Sequence, residues 1–562
     1  PAGAVRGRVC GWPVRSARIL VIPLDPLRSP DGSTGEFEMI RQPAAAAVVI
    51  DILKARGNAR DAAIAVNARP TVVEPHNCGL GGDLFAIVWE AQTGKLHGLN
   101  ASGRSPFAIS RDLFKQRGLD RIPLRGPLSW SVPGCVDGWF ELHGRLGRMD
   151  IRKILEPAIS AGNDGFAVTP VIASAWHGQQ RMLSESAGGR QACLKDGRAP
   201  KAGERMANAP LATSLERIAR EGRDLFYDGP IAEKLVAFSE QVGGLFSLRD
   251  FTEHRSTWVD PVSTNYRGCD VWELPPNGQG IAVLEILNLL ELYDVAGMGH
   301  NSVEFLHTFI EAKKLTYADR AAYYADPEVE QSLPIEKLIS KGYARYQRWR
   351  LNPDHAAMRV PAGDPKLRAG DTVYLTVVDK DRNAVSLIQS TYYGYGSGLI
   401  PEDLGFAIQN RGTLFALDEH HHNRLEPHKR PFHTIIPAMV TRDGKAEISF
   451  GVMGGDMQPQ GQVQVLVNML DHGMDPHAAG AAPRCRHDGS DTPTGDIMTD
   501  GGRVWLEPGI SEEVLEGLRA KGHQAARARG GFGGYQAIRI DWNANTLTGG
   551  SEPRLDGQAV GY

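Results

Sequence analysis

Two sets of strand-like runs, each set followed by long helical periodicity, constrain this chain more than any other feature. In the first, FAIVWEA and KLHGLNA are joined by QTG and fed by the glycine-rich stretch CGLGGD, which predicts a hairpin hugging a glycine loop. In the second, TVYLTVVD and NAVSLIQSTY are followed by FHTIIPAMV and AEISFGVMGG, all with strand texture. Helical spacing surrounds them. Residues 44–66 read as two helices parted by Gly57 and Asn58, with Asn58 a cap before Ala59. Residues 150–345 are mostly helical in pattern, as in AVLEILNLLELYDV and VEFLHTFIEAKKLTYADRAAYYADP, and read as a covering layer. QGQVQVLVNMLDHGM forms a last helix. Strands and then helices, repeated in both halves, imply stacked layers with sheet inside and helices outside.

Composition supports a large packed body: 562 residues, 42% hydrophobic and 23% charged. The net charge of −4 comes from 62 basic and 66 acidic residues mixed along the chain, so no basic face offers itself to nucleic acid or anionic lipid, and a small substrate is expected. The six cysteines are scattered, without the spacing of a zinc site or the density of a disulfide scaffold, and are expected as buried thiols. The apolar run at 19–24 is broken by Pro23 and too short for a signal-peptide core or a membrane span, which favours the cytoplasm. Residues 1–38 lack lasting periodicity and read as an N-terminal extension. The first methionine is Met39.

The segment DTVYLTVVDKDRNAVSLIQSTYYGYGSGL resembles the start of the small subunit of γ-glutamyltranspeptidases. Collinear segments extend the resemblance over about residues 39–562: VVEPHNCGLGGDLFAIV, SVPGCVDGW, LFYDGPIA, ELPPNGQGIAVLEILN, EAKKLTYADR, KRPFHTIIPAMV and GGSEPRLDGQAVGY. The resemblance implies an α/β (α+β) fold, the four-layer αββα sandwich of N-terminal-nucleophile hydrolases. It also implies self-cleavage between Asp371 and Thr372. The products are a large subunit, 39–371, and a small catalytic subunit, 372–562, held together as a heterodimer that is open to further pairing. Thr372 is then the nucleophile. Its freed α-amine, of ordinary pKa about 7.7–8.0, serves as base near neutral pH, and no cofactor or metal is required. Gly454 and Gly455 match the family's oxyanion-hole glycines, with Asp456 where a small polar residue is common. Ser390 matches a hydroxyl residue that supports the nucleophile.

The residues that would hold a γ-glutamyl group depart from the family's pattern. In QNRGTLF, Asn410 is kept, Arg411 stands at a glutamine position and Leu414 at an acidic one. Tyr392 replaces an asparagine, and His433 and Thr434 replace a serine pair. The arginine that clamps the substrate carboxylate is displaced, with Ser102 near its place and Arg104 two residues on. Burying a substrate ammonium beside Arg411 costs several kcal/mol. Guanidinium donors without an ammonium acceptor suit an amide whose acyl part carries a carboxylate and no α-amine. Oxamate and glutaryl amides are examples, and the texts SLIQS, YGSG, QNRG and FHT resemble the oxamate amidohydrolase and glutaryl-cephalosporin acylase branches. Two rivals stand beside this reading: a true γ-glutamyltransferase or glutathione hydrolase, and an unprocessed, inactive binding protein. The run His420-His421-His422, with Glu419 and His428 nearby, reads as a solvated loop without metal geometry. CGLGGD lacks the ending and context of a phosphate loop, and close backbone packing near Thr372 is expected of it.

Overall fold

Alternation along the strand Asp83–Glu90 sets the layering. Leu84, Ala86 and Val88 face a helical core, whereas Phe85, Ile87 and Trp89 point the other way, into a core between two sheets. The same division runs along Asp371–Val378, where Leu375 and Val377 join the helices and Tyr374 and Val378 join the inter-sheet core. The computed structural model describes residues 21–23, 37–40, 43–360 and 371–561.

Among the described residues each central sheet has seven strands, antiparallel throughout. One runs in the order Gln558–Gly561, Phe37–Ile40, Asp371–Val378, Ala384–Tyr392, Asp83–Glu90, Lys95–Ala101, Thr257–Val259. The other runs Val21–Pro23, Thr546–Ser551, Gly534–Asp541, Lys445–Met453, Ala438–Arg442, Cys269–Glu273, Val262–Tyr266. The outer face of the first is covered by helices that include Ala59–Val73 and Cys135–Leu146, that of the second by Ile281–Leu290, Val303–Tyr323 and Met457–Leu470. Helix, sheet, sheet, helix is the αββα sandwich expected from the sequence.

Local chemistry explains the joins. Asn58 caps Ala59–Val73 by accepting from the Arg60 and Asp61 amides, and Asp61 returns the bond in a capping box. The Ala59 amide in turn donates to Asp379, which also gathers Asn383 in the turn after Asp371–Val378. The turn of the central hairpin and the start of a core helix therefore share one carboxylate.

Three sequence expectations change. Phe37–Ile40 and Val21–Pro23 enter the two sheets, so the stretch 1–38 is not wholly without regular structure; its other residues lie outside the described ones. The region 150–345 is mostly helical but not only a covering layer, since Thr257–Val259, Val262–Tyr266 and Cys269–Glu273 enter the two central sheets and Phe166–Ala167 pairs with Arg205–Met206. In FHTIIPAMV only Ala438 onward joins the ladder. Residues 432–437 run without named strand structure because side chains take their backbone groups: Gln458 takes the Ile436 N–H, while Gln462 and Gln279 take the Ile436 and Thr434 carbonyls. The described cysteines, Cys78, Cys135, Cys193, Cys269 and Cys485, are all free and buried, and Cys10 lies outside the described residues. Among the described residues, no helix is long and apolar enough to cross a membrane.

Candidate active site at the Thr372 bulge

Val373 pairs with Gln389 and Asp371 with Tyr392, so Thr372 stands alone against two residues, Ser390 and Thr391. This is a β-bulge in the partner strand, a device that re-aims side chains at the end of a ladder. Tyr392 adopts φ 78°, an uncommon conformation for an aromatic residue. The Ser390 hydroxyl accepts the Tyr392 amide at 2.8 Å and so braces the bend. A Cβ on Gly82 would meet the Ser390 carbonyl oxygen at 2.6 Å, so the CGLGGD loop packs its backbone against this bulge as expected.

The glycine pair lies on the facing sheet. Lys445–Met453 ends in Gly454 (φ 118°) and Gly455 (φ 58°), directly before the helix Met457–Leu470. Amides at this helix start point outward, where the helix dipole favours negative charge. The Gly454 and Gly455 amides meet no acceptor among the described residues. Gln458 donates its own amide to the Gly455 carbonyl, and its side-chain Nε2 lies 3.5 Å from Thr372 Oγ1. The glycine turn and the buried Thr372 are thereby neighbours.

Two large-half side chains hold that turn in place. Gln279 Nε2 donates to the Thr434 and Gly455 carbonyls at 2.7 and 2.9 Å, and its Oε1 accepts from Arg320 at 2.7 Å. Arg320 also pairs with Asp456 at 2.8 Å, and the Tyr317 hydroxyl donates to the Asp456 carbonyl. The residue that departs from the family's small polar type is therefore the counter-ion of a fully buried arginine.

Arg411 is fully buried, lies 4.6 Å over the Tyr392 ring, and donates from Nη1 to Thr434 Oγ1 at 2.7 Å. Its Nε and Nη2 meet no acceptor among the described residues. Burial pulls its pKa down to about 10 against the opposing pull of Asp83 and Tyr392. Asp83, at the head of Asp83–Glu90, accepts from the Gly103 and Gly134 amides, from Gln409 and, through Oδ2, from His433 Nε2 at 3.0 Å. Burial still raises its carboxyl to about 6, with Arg411 and these donors holding it from rising further. His433 is pushed well below its ordinary pKa by burial and then by Arg411, so it is neutral, donating from Nε2 and accepting the Ile435 amide at Nδ1.

The structure thus gathers Thr372, Ser390, Tyr392, Arg411, His433, Thr434, Gly454 and Gly455 around one bulge. Asn410 adjoins them with its amide committed to backbone, accepting from Tyr393 and donating to the Leu124 carbonyl. Arg104 is paired with Glu328, which Arg430 shares. Of Asp371 only the backbone is described. The His420–His422 run lies in turns, His420 beside Glu419 and His422 beside Glu330. Elsewhere His307, Glu311 and His523 cluster, but His307 and His523 hydrogen-bond each other at 2.8 Å. Glu311 is occupied by Lys314 and the Ala357 amide, while His523 Nδ1 meets no partner among the described residues.

The sequence profile of gamma-glutamyltranspeptidase matches residues 45–562. The chain belongs to this family. It is 38% identical over 523 residues to the glutathione hydrolase-like YwrD proenzyme of Bacillus subtilis, covering 91% of this chain and 95% of that protein. Identity is 31% over 535 residues to the oxamate amidohydrolase proenzyme of Klebsiella pneumoniae, covering 91% and 95%. The crystal structure of cephalosporin acylase from Bacillus halodurans superposes with a TM-score of 0.88 at 36% identity, over 99% of both chains. Such relatives make this an enzyme of the amidohydrolase and acyltransferase kind.

Within this family site, sequence reasoning passed over Asp83, Gln279, Arg320 and Gln458. Asp83 carried one signal, a carboxylate opening the apolar run LFAIVW. The two glutamines and Arg320 carried none locally, because their partners lie far off in sequence. Gln279→Met keeps the volume but frees the Gly455 and Thr434 carbonyls. It is expected to lower kcat roughly 10-fold with KM little changed, since small displacements of a preorganised site cost rate. Steady-state kinetics on chromogenic anilides, beside circular dichroism to verify the fold, makes the measurement.

Proposed function

We propose that this family member cuts itself before Thr372 and uses that threonine to hydrolyse small amides whose acyl part carries a carboxylate but no α-ammonium. The observation that carries the reading is Arg411, a fully buried guanidinium with two nitrogens, Nε and Nη2, unmet among the described residues, stacked on the residue that pairs with Asp371. A buried cation of this kind favours a planar anion. A substrate ammonium would meet Arg411 and the buried Leu414 instead of an acid. Oxamate is itself an amide beside a carboxylate, and the relative named for it is consistent with this chemistry.

In the proposed cycle the α-amine of Thr372 takes the Oγ1 proton as Oγ1 bonds to the amide carbon, and the negative oxygen faces the Gly454 and Gly455 amides. The C–N bond breaks as the proton passes to the departing amine. Water then adds to the ester, and the acid is released.

Wild-type protein is expected to resolve into two fragments on a denaturing gel, the smaller beginning at Thr372, while Thr372→Ala stays intact and inactive. Full-length wild-type chain that persists would instead support the inert binding protein. Side-by-side assays are expected to favour glutaryl-p-nitroanilide over γ-glutamyl-p-nitroanilide, and Arg411→Leu to remove at least 10-fold of that preference. The opposite preference, with transfer to dipeptides, would establish the γ-glutamyl rival.

Acidity offers a further check. Asp83 is ionised at pH 7.5 and competes with the substrate carboxylate for the field of Arg411. Protonating it below about 6 removes that repulsion. KM for the glutaryl anilide is therefore expected to fall a few-fold, roughly 2- to 5-fold, from pH 7.5 to 5.5, and KM for a butyryl anilide to stay level.

A further inference from the structure

The helix Met457–Leu470 carries buried glutamines at 458, 460, 462 and 464. Four primary amides on one buried helix need partners, and the structure supplies them on two faces for every amide atom but Gln462 Oε1, which meets none among the described residues. On one face, Gln460 takes the His487 amide on Oε1 at 2.8 Å and donates to the His487 carbonyl. Gln464 treats Cys485 in the same way, with both bonds at 2.9 Å. These two glutamines act as surrogate backbone for the strand Cys485–Asp488. On the other face, Gln462 donates to the Ile436 carbonyl at 3.1 Å and Gln458 accepts the Ile436 amide at 3.0 Å.

The bond to Ile436 decides which way the Gln458 amide points. Its oxygen is taken by a backbone N–H, so its NH2 must face the other side, and there it meets Thr372 Oγ1 at 3.5 Å. Gln460 and Gln464 use both amide atoms on backbone, and Gln462 turns its NH2 to Ile436; Gln458 is the one of the four aimed at the nucleophile.

We propose that Gln458 is a further catalytic residue, the donor that stabilises negative charge on Thr372 Oγ1. The inference rests on the Thr372 reading. Oγ1 carries transient charge twice in each turnover: when its proton passes to the α-amine as the C–Oγ1 bond forms, and when that bond breaks during ester hydrolysis, the electron pair returning to Oγ1 before it is reprotonated. It does so again in self-cleavage, when Oγ1 attacks the carbonyl carbon of Asp371. A neutral N–H···O contact becomes charge-assisted at each of these moments and strengthens, so it lowers the barrier more than it aids substrate binding. The two glycine amides face the substrate's oxygen, and the Gln458 amide faces the enzyme's own.

Three variants of the full chain test this. Gln458→Met keeps the volume and removes the donor. Gln458→Glu keeps the Oε1 acceptor for Ile436 and replaces the NH2 with oxygen. Gln464→Met makes the same change as the first on the opposite helix face, as a control for packing. Both Gln458 variants are expected to slow self-cleavage, and to lower kcat per processed site roughly 10- to 100-fold with KM within about 2-fold, while Gln464→Met retains wild-type values. Gln458→Glu is also expected to move the acid limb of the kcat profile to higher pH, because a carboxylate beside the α-ammonium stabilises its charged form. A merely structural role would not produce that shift, which is read on the processed fraction even where folding yield is low. If wild type never cuts before Thr372, the Thr372 reading falls and this proposal with it. If wild type cuts and turns over while both Gln458 variants match it, or if all three variants slow alike without the pH shift, the role of Gln458 alone is overturned.

Discussion

The ladder between Asp371–Val378 and Ala384–Tyr392 is the constraint on which the rest of the site depends. Period-2 alternation leaves each strand in this sheet one face for the helices and one for the opposite sheet, and a slip by one residue would exchange them. The bulge at Ser390 and Thr391 is the permitted irregularity, and it falls where the strand carrying Thr372 begins. The same bend puts Tyr392 in a left-handed conformation and turns its ring under Arg411. Thr372, its serine brace and the buried guanidinium are brought together by one extra residue in one strand.

Around the bulge the protein buries charges that are expensive to remove from water. Arg320 is offset by Asp456 and Gln279, whereas Arg411 has Asp83 only through space and one neutral hydroxyl in contact. This difference is what the proposed substrate role of Arg411 rests on. Asp83 occupies an intermediate state, held by four donors and still raised to about 6 by burial, so its charge is conditional on pH.

Much of the architecture was legible in the chain itself, and specific elements show why. Asn58 with Asp61 is a local capping box, and Asp83–Glu90 reads as a nearly unbroken apolar run because both its faces are buried against different layers. The reading failed where side chains replace the ladder. FHTII has the apolar, β-branched texture of a strand, but Gln279, Gln458 and Gln462 occupy its backbone groups. Helical texture across 150–345 likewise masked five short strands among the described residues, which are too brief to outweigh their flanks. In the site, Thr372, Arg411, His433 and the glycine pair stood out through the family pattern, whereas Arg104 proved to belong to a salt bridge with Glu328.

By itself the sequence determined the layered fold and the family, because periodicity and collinear motifs are properties of neighbouring residues. The tertiary structure alone decided which buried polar groups meet. His433 reaches Asp83 across 350 positions, Gln279 bonds to Gly455 across 176, and Gln458 turns its NH2 to Thr372 only because Ile436 holds its oxygen. A hydrogen bond between distant segments leaves no period in either of them, and its direction is settled only once every other donor and acceptor around it has found a partner.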